Sequence, residues 1–373
     1  MSTIDIAPLT RFDPPGDRTA PSPAEARGLR RDDVRLLVAD GEGLTHARFG
    51  DVSDHLDPGD LVVVNASQTV AGEVDGLLTG DGPVSGQVVV HVATDLRDGT
   101  WVIELRTAPD ASRAVLDAAT GQVVTLTGVG EPAALTLLEP YPREESSPTG
   151  TGNRLWRAAF AGESGLPALL GRAGRPIAYG YLDRRYPIEA YRTIFGTTPG
   201  SAEMPSAARP FTPDVVTRLV SRGIAIAPIV LHTGVSSQEA GEAPQPEWFE
   251  VSESTARLVN ATKAGGGRII AVGTTVTRAL ESAVRGAAGR ARVAAAEGWT
   301  DRVVTRSAPP QVVDGLITGW HDPAASHLLL VEAVAGPRLT QAAYDAAVAH
   351  GYDWHEFGDS ALLLPARANV MAA

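Results

Sequence analysis

The chain has 373 residues, 43% hydrophobic and 20% charged, with a net charge of −12 and no cysteine. That length suits two domains or one domain carrying an insert, and the missing cysteine excludes disulfides, a thiol nucleophile and thiolate metal sites. No apolar run reaches the roughly 18 residues of a membrane span, and the acidic balance argues against nonspecific nucleic-acid binding.

The opening MSTIDIAPLTRFDPPGDRTAPSP lacks the basic start and apolar core of a signal peptide. A cytoplasmic protein fits this and the absence of Cys. Residues 1–27 read as an extended, Pro-rich arm. From Arg30, RRDDVRLLVAD is a polar opening followed by a strand, paired with His46–Phe49 across a turn at Gly41–Gly43. Leu61–Val64 is a continuous apolar strand ending at Asn65. Short alternating runs follow at Gln87–Val92, Trp101–Arg106, Gln122–Leu126, Ala134–Leu138 and Arg154–Phe160, with Gly, Asp and Pro turns between them. They predict an inserted small all-β, barrel-like domain over 71–160.

An α/β pattern resumes after Arg175. Thr212-Pro213-Asp214 starts a helix that Gly223 ends. Ile224–Leu231 is a strand delivering His232. Residues 235–246 form a polar loop, with Glu247 and Glu250 at its close, and Glu253–Ala264 is helical. The stretch Gly265–Ser282, GGGRIIAVGTTVTRALES, holds a strand at Ile269–Val272, broken by Gly273. A helix follows, with Thr274 and Thr275 as its caps and Arg278 and Glu281 one turn apart. Val312–Thr318 is the next strand and carries Asp314. Helices at Leu328–Val334 and Tyr344–His350 precede a last strand, Ala361–Leu364. Residues 28–70 and 161–373 together predict a mixed or barrel-like α/β domain.

A strand ending in Gly-Thr-Thr before a helix sets backbone N–H groups and hydroxyls at the edge where open α/β sheets receive ligands. Tight packing alone accounts for such a turn equally well. Of eight histidines, His232 and His321 each follow an apolar strand. His46, His55, His91, His327, His350 and His355 lie in or beside ordinary elements. Glu247, Glu250 and Asp314 are candidate acid/base groups if burial raises their pKa; helix capping and a buried hydrogen bond are the alternatives for Glu247 and Asp314. No HExxH, Walker A, GxSxG or GxGxxG occurs, so no metal site is expected. The arginine-rich span 172–222 is either a solvated face or a phosphate-binding patch.

GGRIIAVGTTVTRALES and VVDGLITGWHDPAASHLLLVEAVAG (312–336) are joined by RDDVR (31–35), HARFGDVSDHLDPGDLVVVN (46–65), LHTG (231–234) and AYDAAVAHGYDWHEFGDSALLL (343–364). In order and spacing these resemble the S-adenosylmethionine:tRNA ribosyltransferase-isomerase family of queuosine biosynthesis. That family carries a β-barrel where this chain has residues 70–160. The resemblance implies an enzyme with S-adenosylmethionine as substrate and no metal or redox cofactor. It implies transfer of the ribosyl unit to the aminomethyl group of a 7-deazaguanine base at the tRNA wobble position. The sugar rearranges to an epoxycyclopentanediol, and adenine and methionine leave. The sulfonium acidifies the C5′ hydrogens, so a positioned base opens the cascade. His321 or Glu247 is then the proton handler, with Asp314 and His232 as orienting groups. Gly273, Thr274, Thr275, Arg278, Asn65 and Thr318 are the expected binding residues. Arg31, Asp32 and Arg35 match a motif that holds substrate or joins domains.

The chain also departs from the family. Asn-x-Thr/Ser-Arg is here Asn65-Ala66-Ser67-Gln68, and the His of Pro-Thr-Ala-Gly-Leu-His-Phe-Thr is Pro210. Gly-Ala-Gly-Thr-Phe becomes Gly234-Val235-Ser236-Ser237-Gln238, Met-His-x-Glu becomes Pro244-Gln245-Pro246-Glu247, and Asn-Phe-His is Gly319-Trp320-His321. An Arg-to-Gln change removes a forked cation suited to phosphate or carboxylate. The chain reads as a divergent member with three functions open. They are the family's reaction on tRNA, a related transfer from S-adenosylmethionine to a small acceptor, and non-catalytic binding. Gln68 and Gln245, being polar, favour a retuned pocket over decay.

Overall fold

The computed structural model describes residues 7–13, 16, 18–142, 152–178, 180–235, 244–286, 291–323 and 325–366. Regular structure starts with β1 (Arg35–Asp40), β2 (Leu44–Arg48), β3 (Leu61–Asn65) and β4 (Ser67–Thr69). Six strands follow: β5 (Glu73–Thr79), β6 (Gly86–Asp95), β7 (Thr100–Thr107), β8 (Val123–Leu126), β9 (Ala133–Pro140) and β10 (Leu155–Gly162). Next come α1 (Leu166–Ala173), β11 (Thr198–Ser201), α2 (Pro213–Ser221), β12 (Ala225–Leu231), β13 (Glu247–Val251), α3 (Glu253–Ala264), β14 (Ile269–Val272) and α4 (Thr274–Ser282). The chain closes with β15 (Val284–Arg285), β16 (Arg292–Val293), β17 (Ala296–Thr300), β18 (Gly315–Thr318), α5 (Ser326–Ala335), α6 (Pro337–Ala349) and β19 (Ser360–Leu364).

Nine strands form one open mixed sheet in the order β17-β13-β12-β3-β14-β18-β19-β1-β2. Alternate residues of a strand face opposite sides. Leu61 and Val63 therefore join Val276, Leu280, Leu328 and Tyr344. Val62 and Val64 join Phe49, Phe211, Val215 and Leu219 on the other face. A strand covered on both faces reads as an unbroken apolar run, which is why 61–64 and 269–272 carry no polar residue. Each such Val or Leu contributes roughly 1.5–3 kcal/mol when fully buried. Helices α3 to α6 cover the first face, and α2 with the 3-10 turn Phe49–His55 covers the second.

Strands β5 to β10 close into a barrel in the order β10-β7-β6-β5-β8-β9. Val74, Val90, Leu105, Leu135 and Trp156 fill it, and Leu166, Leu169 and Leu170 of α1 pack on the same core. The fold class read from the sequence therefore stands: mixed α/β with a small all-β barrel. The sequence pattern missed β5, because Glu73, Asp75 and Gly76 interrupt its alternation. Gly76 is needed for close approach, since a Cβ there would lie 2.5 Å from Val124 Cγ1.

Several expectations are corrected. Glu247 opens a strand, β13, and does not lie in a loop; the expected loop positions 236–243 lie outside the described residues. The strand after 312 begins at Gly315, so Asp314 precedes it. Thr274 and Thr275 do not cap α4: Gly273 is the N-cap and no side-chain cap bond forms. Gly273 has φ 92° and ψ 160°, a region essentially reserved for glycine. Of the expected arm, positions 1–6, 14–15 and 17 lie outside the described residues. The rest is anchored: Thr10 donates to Glu332 through its N–H (2.6 Å) and its hydroxyl (2.7 Å), and the Phe12 ring lies 4.8 Å from that of Tyr344. The arginine-rich span is no free basic patch. Arg172, Arg175, Arg185, Arg192, Arg209, Arg218 and Arg222 each lie within 4.0 Å of a carboxylate. Among the described residues, no helix is long and apolar enough to cross a membrane.

A buried charge network occupies the barrel wall. His91 Nε2 lies 3.1 Å from Glu73 and its Nδ1 3.4 Å from Glu104. Arg106 and Arg154 reach Glu104 at 2.8 and 3.1 Å. Arg175 and Arg185, beyond the barrel strands, both reach Glu73 at 2.6 Å. Burial opposes both carboxylates, but hydrogen bonds from His91 and the arginine charges outweigh it and hold each down to about 2. Removing one partner of such a network leaves a buried charge uncompensated. Glu104→Ala should therefore cost about 3–5 kcal/mol in urea denaturation. Because these carboxyls titrate near 4.5 when unperturbed and about 2 when folded, their contribution is present above pH 4.5 and lost as pH falls towards 2. Melting temperature should drop over that window, and Glu104→Gln should flatten the drop.

Candidate active site

Strands β12, β3, β14 and β18 run parallel, so their C-terminal tips share one edge of the sheet. The antiparallel strands complete that edge with their beginnings. β13 pairs antiparallel with β12, placing Glu247 there. β19 pairs antiparallel with β18, placing the loop before Ser360 there as well. This is the edge at which open α/β sheets take ligands.

Eight side chains gather there, some in direct contact and others acting on one another through charge alone. His321 and His327 stack at 4.9 Å and 7°. Thr318 Oγ1 lies 3.0 Å from His321 Nε2, and the His321 N–H donates to the Tyr344 hydroxyl at 3.3 Å. His327 feels the charge of Arg278. Arg278 pairs with Glu247 and donates to the carbonyls of Gln245, Thr300 and Arg302. Glu247 faces the charge of Glu203, and Glu203 that of Glu356. Tyr181 donates its phenol to Glu356 and stacks on His355 at 5.3 Å and 20°. His355 Nε2 stands 3.9 Å from Asp322. Glu203, Glu247, His321, His327, His355 and Glu356 are all half-buried, as are Thr274 and Thr275. His355 has φ 66°, a strained conformation for a non-glycine residue and a frequent mark of functional loops.

The electrostatics sort these groups. Burial pushes His321 well below its usual range, helped by His327 and His355. Burial and then Arg278 push His327 down to about 4. Both imidazoles are neutral at physiological pH and able to accept a proton. Burial pushes the Glu247 carboxyl up, against the pull of Arg278 and a hydrogen bond from the Gly234 N–H. Glu356 is pushed up to about 8 by burial and the neighbouring Glu203, against the Tyr181 hydrogen bond.

Of the residues singled out in the sequence, His321, Glu247 and Arg278 belong to this group, Thr318 bonds to it, and Gly273, Thr274 and Thr275 form the strand tip at the same edge. The others do not meet it. His232 sits across β3, 2.7 Å from the Ser67 hydroxyl and stacked on Trp248. Burial and Arg97 lower it to about 4. Asn65 is turned inward: its Oδ1 accepts the N–H groups of Ser67 and Leu231, and its Nδ2 donates to the Leu231 carbonyl. Asp314 stands at the opposite end of β18, accepting from Ile269 N–H and paired with Lys263 at 2.6 Å. So placed, Asp314 lies away from the strand tips where an orienting role was expected. Asp32 accepts from Arg30 and Thr212, and Arg35 grips Asp359 and the carbonyls of His350 and Gly351. Both tie the chain's beginning to the sheet. Arg31 bonds Glu25 and the Arg192 carbonyl and also lines a recess with Ser206, Ala207, Gly319, His355 and Glu356. Sequence reasoning missed Tyr181, Glu203, His327, His355 and Glu356. Among the described residues, no group of three or more His, Cys, Asp or Glu is arranged to hold a metal ion.

A family model described as queuosine biosynthesis protein matches residues 10–363. The S-adenosylmethionine:tRNA ribosyltransferase-isomerase of Gloeobacter violaceus is 34% identical over 354 residues, covering 93% of this chain and 92% of that protein. Its namesake in Thermus thermophilus is 33% identical over 346 residues, covering 90% and 93%. The Deinococcus radiodurans protein of the same name is 34% identical over 385 residues, covering 97% and 96%. With nearly its whole length matched, and the strand-tip group lying inside that match, the chain belongs to the queuosine biosynthesis protein family.

Proposed function

We propose that this chain is an S-adenosylmethionine:tRNA ribosyltransferase-isomerase, moving the ribosyl unit of S-adenosylmethionine onto an aminomethyl-deazaguanine base in tRNA and rearranging it there. The observation that carries this reading is the match over residues 10–363 to the family whose named relatives hold that activity. The geometry supports it. The strand tips at Gly273–Thr275 and Thr318 offer a floor for the nucleoside, and Glu203 and Glu247 bring acidic groups to the same edge, a favourable field for a cationic sulfonium. S-adenosylmethionine is a substrate in this reading, and no metal or redox cofactor takes part.

Between the two proton-handling candidates, the surroundings favour His321. Glu247 is committed to Arg278 and the Gly234 N–H. His321 is half-buried at the strand tips and burial pushes its imidazole well below the usual range; its Nε2 lies 3.0 Å from the Thr318 hydroxyl, and its backbone N–H donates to the Tyr344 hydroxyl. A neutral base accepts a C5′ proton without first losing one of its own, and the surrounding carboxylates compensate the imidazolium that forms. Glu247 and Arg278 then act as positioning groups. His232 supports the floor from across β3 through Trp248.

A second reading, a small-molecule acceptor in place of tRNA, is favoured by specific observations. Gln68 and Pro210 stand where the family has Arg and His, and the arginines of 172–222 are held by carboxylates. Incubation with S-adenosylmethionine separates the two. Adenine release should require tRNA bearing the aminomethyl-deazaguanine base; release with small amines and none with that tRNA would establish the second reading. In the same assay His321→Asn should lower kcat by about 10²- to 10⁴-fold, the usual worth of a general base. An unchanged kcat would remove His321 from the proton step.

A further inference from the structure

A cavity of about 690 Å³ lies between the barrel and the outer strands of the large sheet. That is the size of a small-ligand site. Asp98, Glu139, Tyr141 and Arg157 line it from the barrel, and Pro246 and Trp299 from the sheet. Pro246 stands one residue before Glu247, and the Gln245 carbonyl accepts from Arg278, so the cavity begins beside the strand-tip group. Trp299 and Trp248 are register partners of β17 and β13 and share one face of the sheet. Arg97 covers Trp248, 3.6 Å from its ring centroid. Trp299 is 40% exposed, and among the described residues no ring or cation lies over it. A large apolar ring left bare in a cavity marks a contact surface.

The polar groups narrow the guest. Arg157 donates to Thr100, Glu139 and Asp98 at 2.9, 3.0 and 2.7 Å, so its charge is neutralised within the wall. Asp98 gives its other oxygen to Thr100. Glu139 binds Arg157 through one oxygen and keeps the other free, and the half-buried Tyr141 hydroxyl has no hydrogen-bond partner among the described residues. The lining therefore offers no uncommitted cation to a phosphate or carboxylate. It offers a flat apolar plate, an acceptor and a phenol. A nucleobase matches this set, with a ring for the indole and N–H groups on its edge for the carboxylate. We propose that this cavity holds an unpaired base of the acceptor tRNA, stacked on Trp299 with Glu139 accepting from its edge. The inference rests on the tRNA reading of the function. It also accounts for how a chain of net charge −12, with the arginines of 172–222 held by carboxylates, grips an RNA: through bases rather than phosphates.

The test is adenine release by the full chain with S-adenosylmethionine and tRNA bearing the aminomethyl-deazaguanine base. Trp299→Ala should raise the KM for tRNA by about 5- to 100-fold, the worth of one stacked base. It should leave kcat and the KM for S-adenosylmethionine unchanged. Trp299→Phe should recover most of the loss, since another flat ring serves. The loss should be the same at low and at physiological salt, because no phosphate contact is removed. Single abasic positions in the anticodon loop, outside the modified base, identify the guest. One such tRNA should be as weak with wild type as intact tRNA is with Trp299→Ala, and combining the two should add nothing. Glu139→Gln should raise the same KM several-fold, and it serves as the reading should Trp299→Ala prove unstable. An unchanged KM for tRNA, a parallel rise in the KM for S-adenosylmethionine, or additive losses at every abasic position would overturn the subsite while wild-type adenine release keeps the transferase reading. Capture of a proline-rich peptide by the cavity, with Trp299→Ala silent towards tRNA, would assign it to a protein partner and overturn the subsite equally. No adenine release by wild type with that tRNA would overturn both.

Discussion

Arg278 is the side chain on which the seating of the outer strands at this sheet edge depends. It rises from α4, only 6% exposed, and fixes the start of β13 and the end of β17 through one carboxylate and three carbonyls. Those are the two outermost strands on that side of the sheet, joined to the rest through β12. A guanidinium is well suited to this task, since its planar fork meets several acceptors at once and does not lose its proton on burial. Its charge also acts on His327, so the same group that sets the wall helps keep the imidazole pair neutral. Packing, electrostatics and chemistry are coupled here through one residue.

Much of the fold was legible because it followed simple periodicities. Unbroken apolar runs marked β3 and β14, whose both faces are covered, and Thr212-Pro213 marked the start of α2, where the Thr212 hydroxyl accepts from Val215 N–H. What escaped had a local reason. β5 is interrupted by Glu73 and Asp75, which serve ion pairs, and by Gly76, which serves a close contact. β17 at the edge and β13 beside it carry Glu and Trp, and β17 a Gly as well, so no apolar run announced them. The site was half legible for the same reason. His321 and Gly273–Thr275 follow parallel strands, and a strand tip can be read from sequence. Glu356 and His355 precede an antiparallel strand, and only the pairing of β19 with β18 brings them to the same edge. Asp314 shows the reverse error: placing the start of β18 at Val312, when it begins at Gly315, made a residue that precedes the strand look like part of it.

The barrel is not simply appended to the sheet. Glu73 takes His91 from inside the barrel and Arg175 and Arg185 from the segment that leaves it. A carboxylate shared in this way makes the exit of the barrel part of its own buried network.

Trp248 has one more implication. Its indole lies between the guanidinium of Arg97, 3.6 Å from the ring centroid, and the imidazole of His232 at 5.6 Å. Arg97 belongs to the turn between β6 and β7 of the barrel, whereas Trp248 and His232 belong to the large sheet. A natural fluorophore is thus clamped between two bodies, with a positive charge over one face. Any sliding of the barrel relative to the sheet alters the electric field across that indole, one of six in the chain, so in a variant that keeps Trp248 alone the emission wavelength would carry a record of how the two parts are seated.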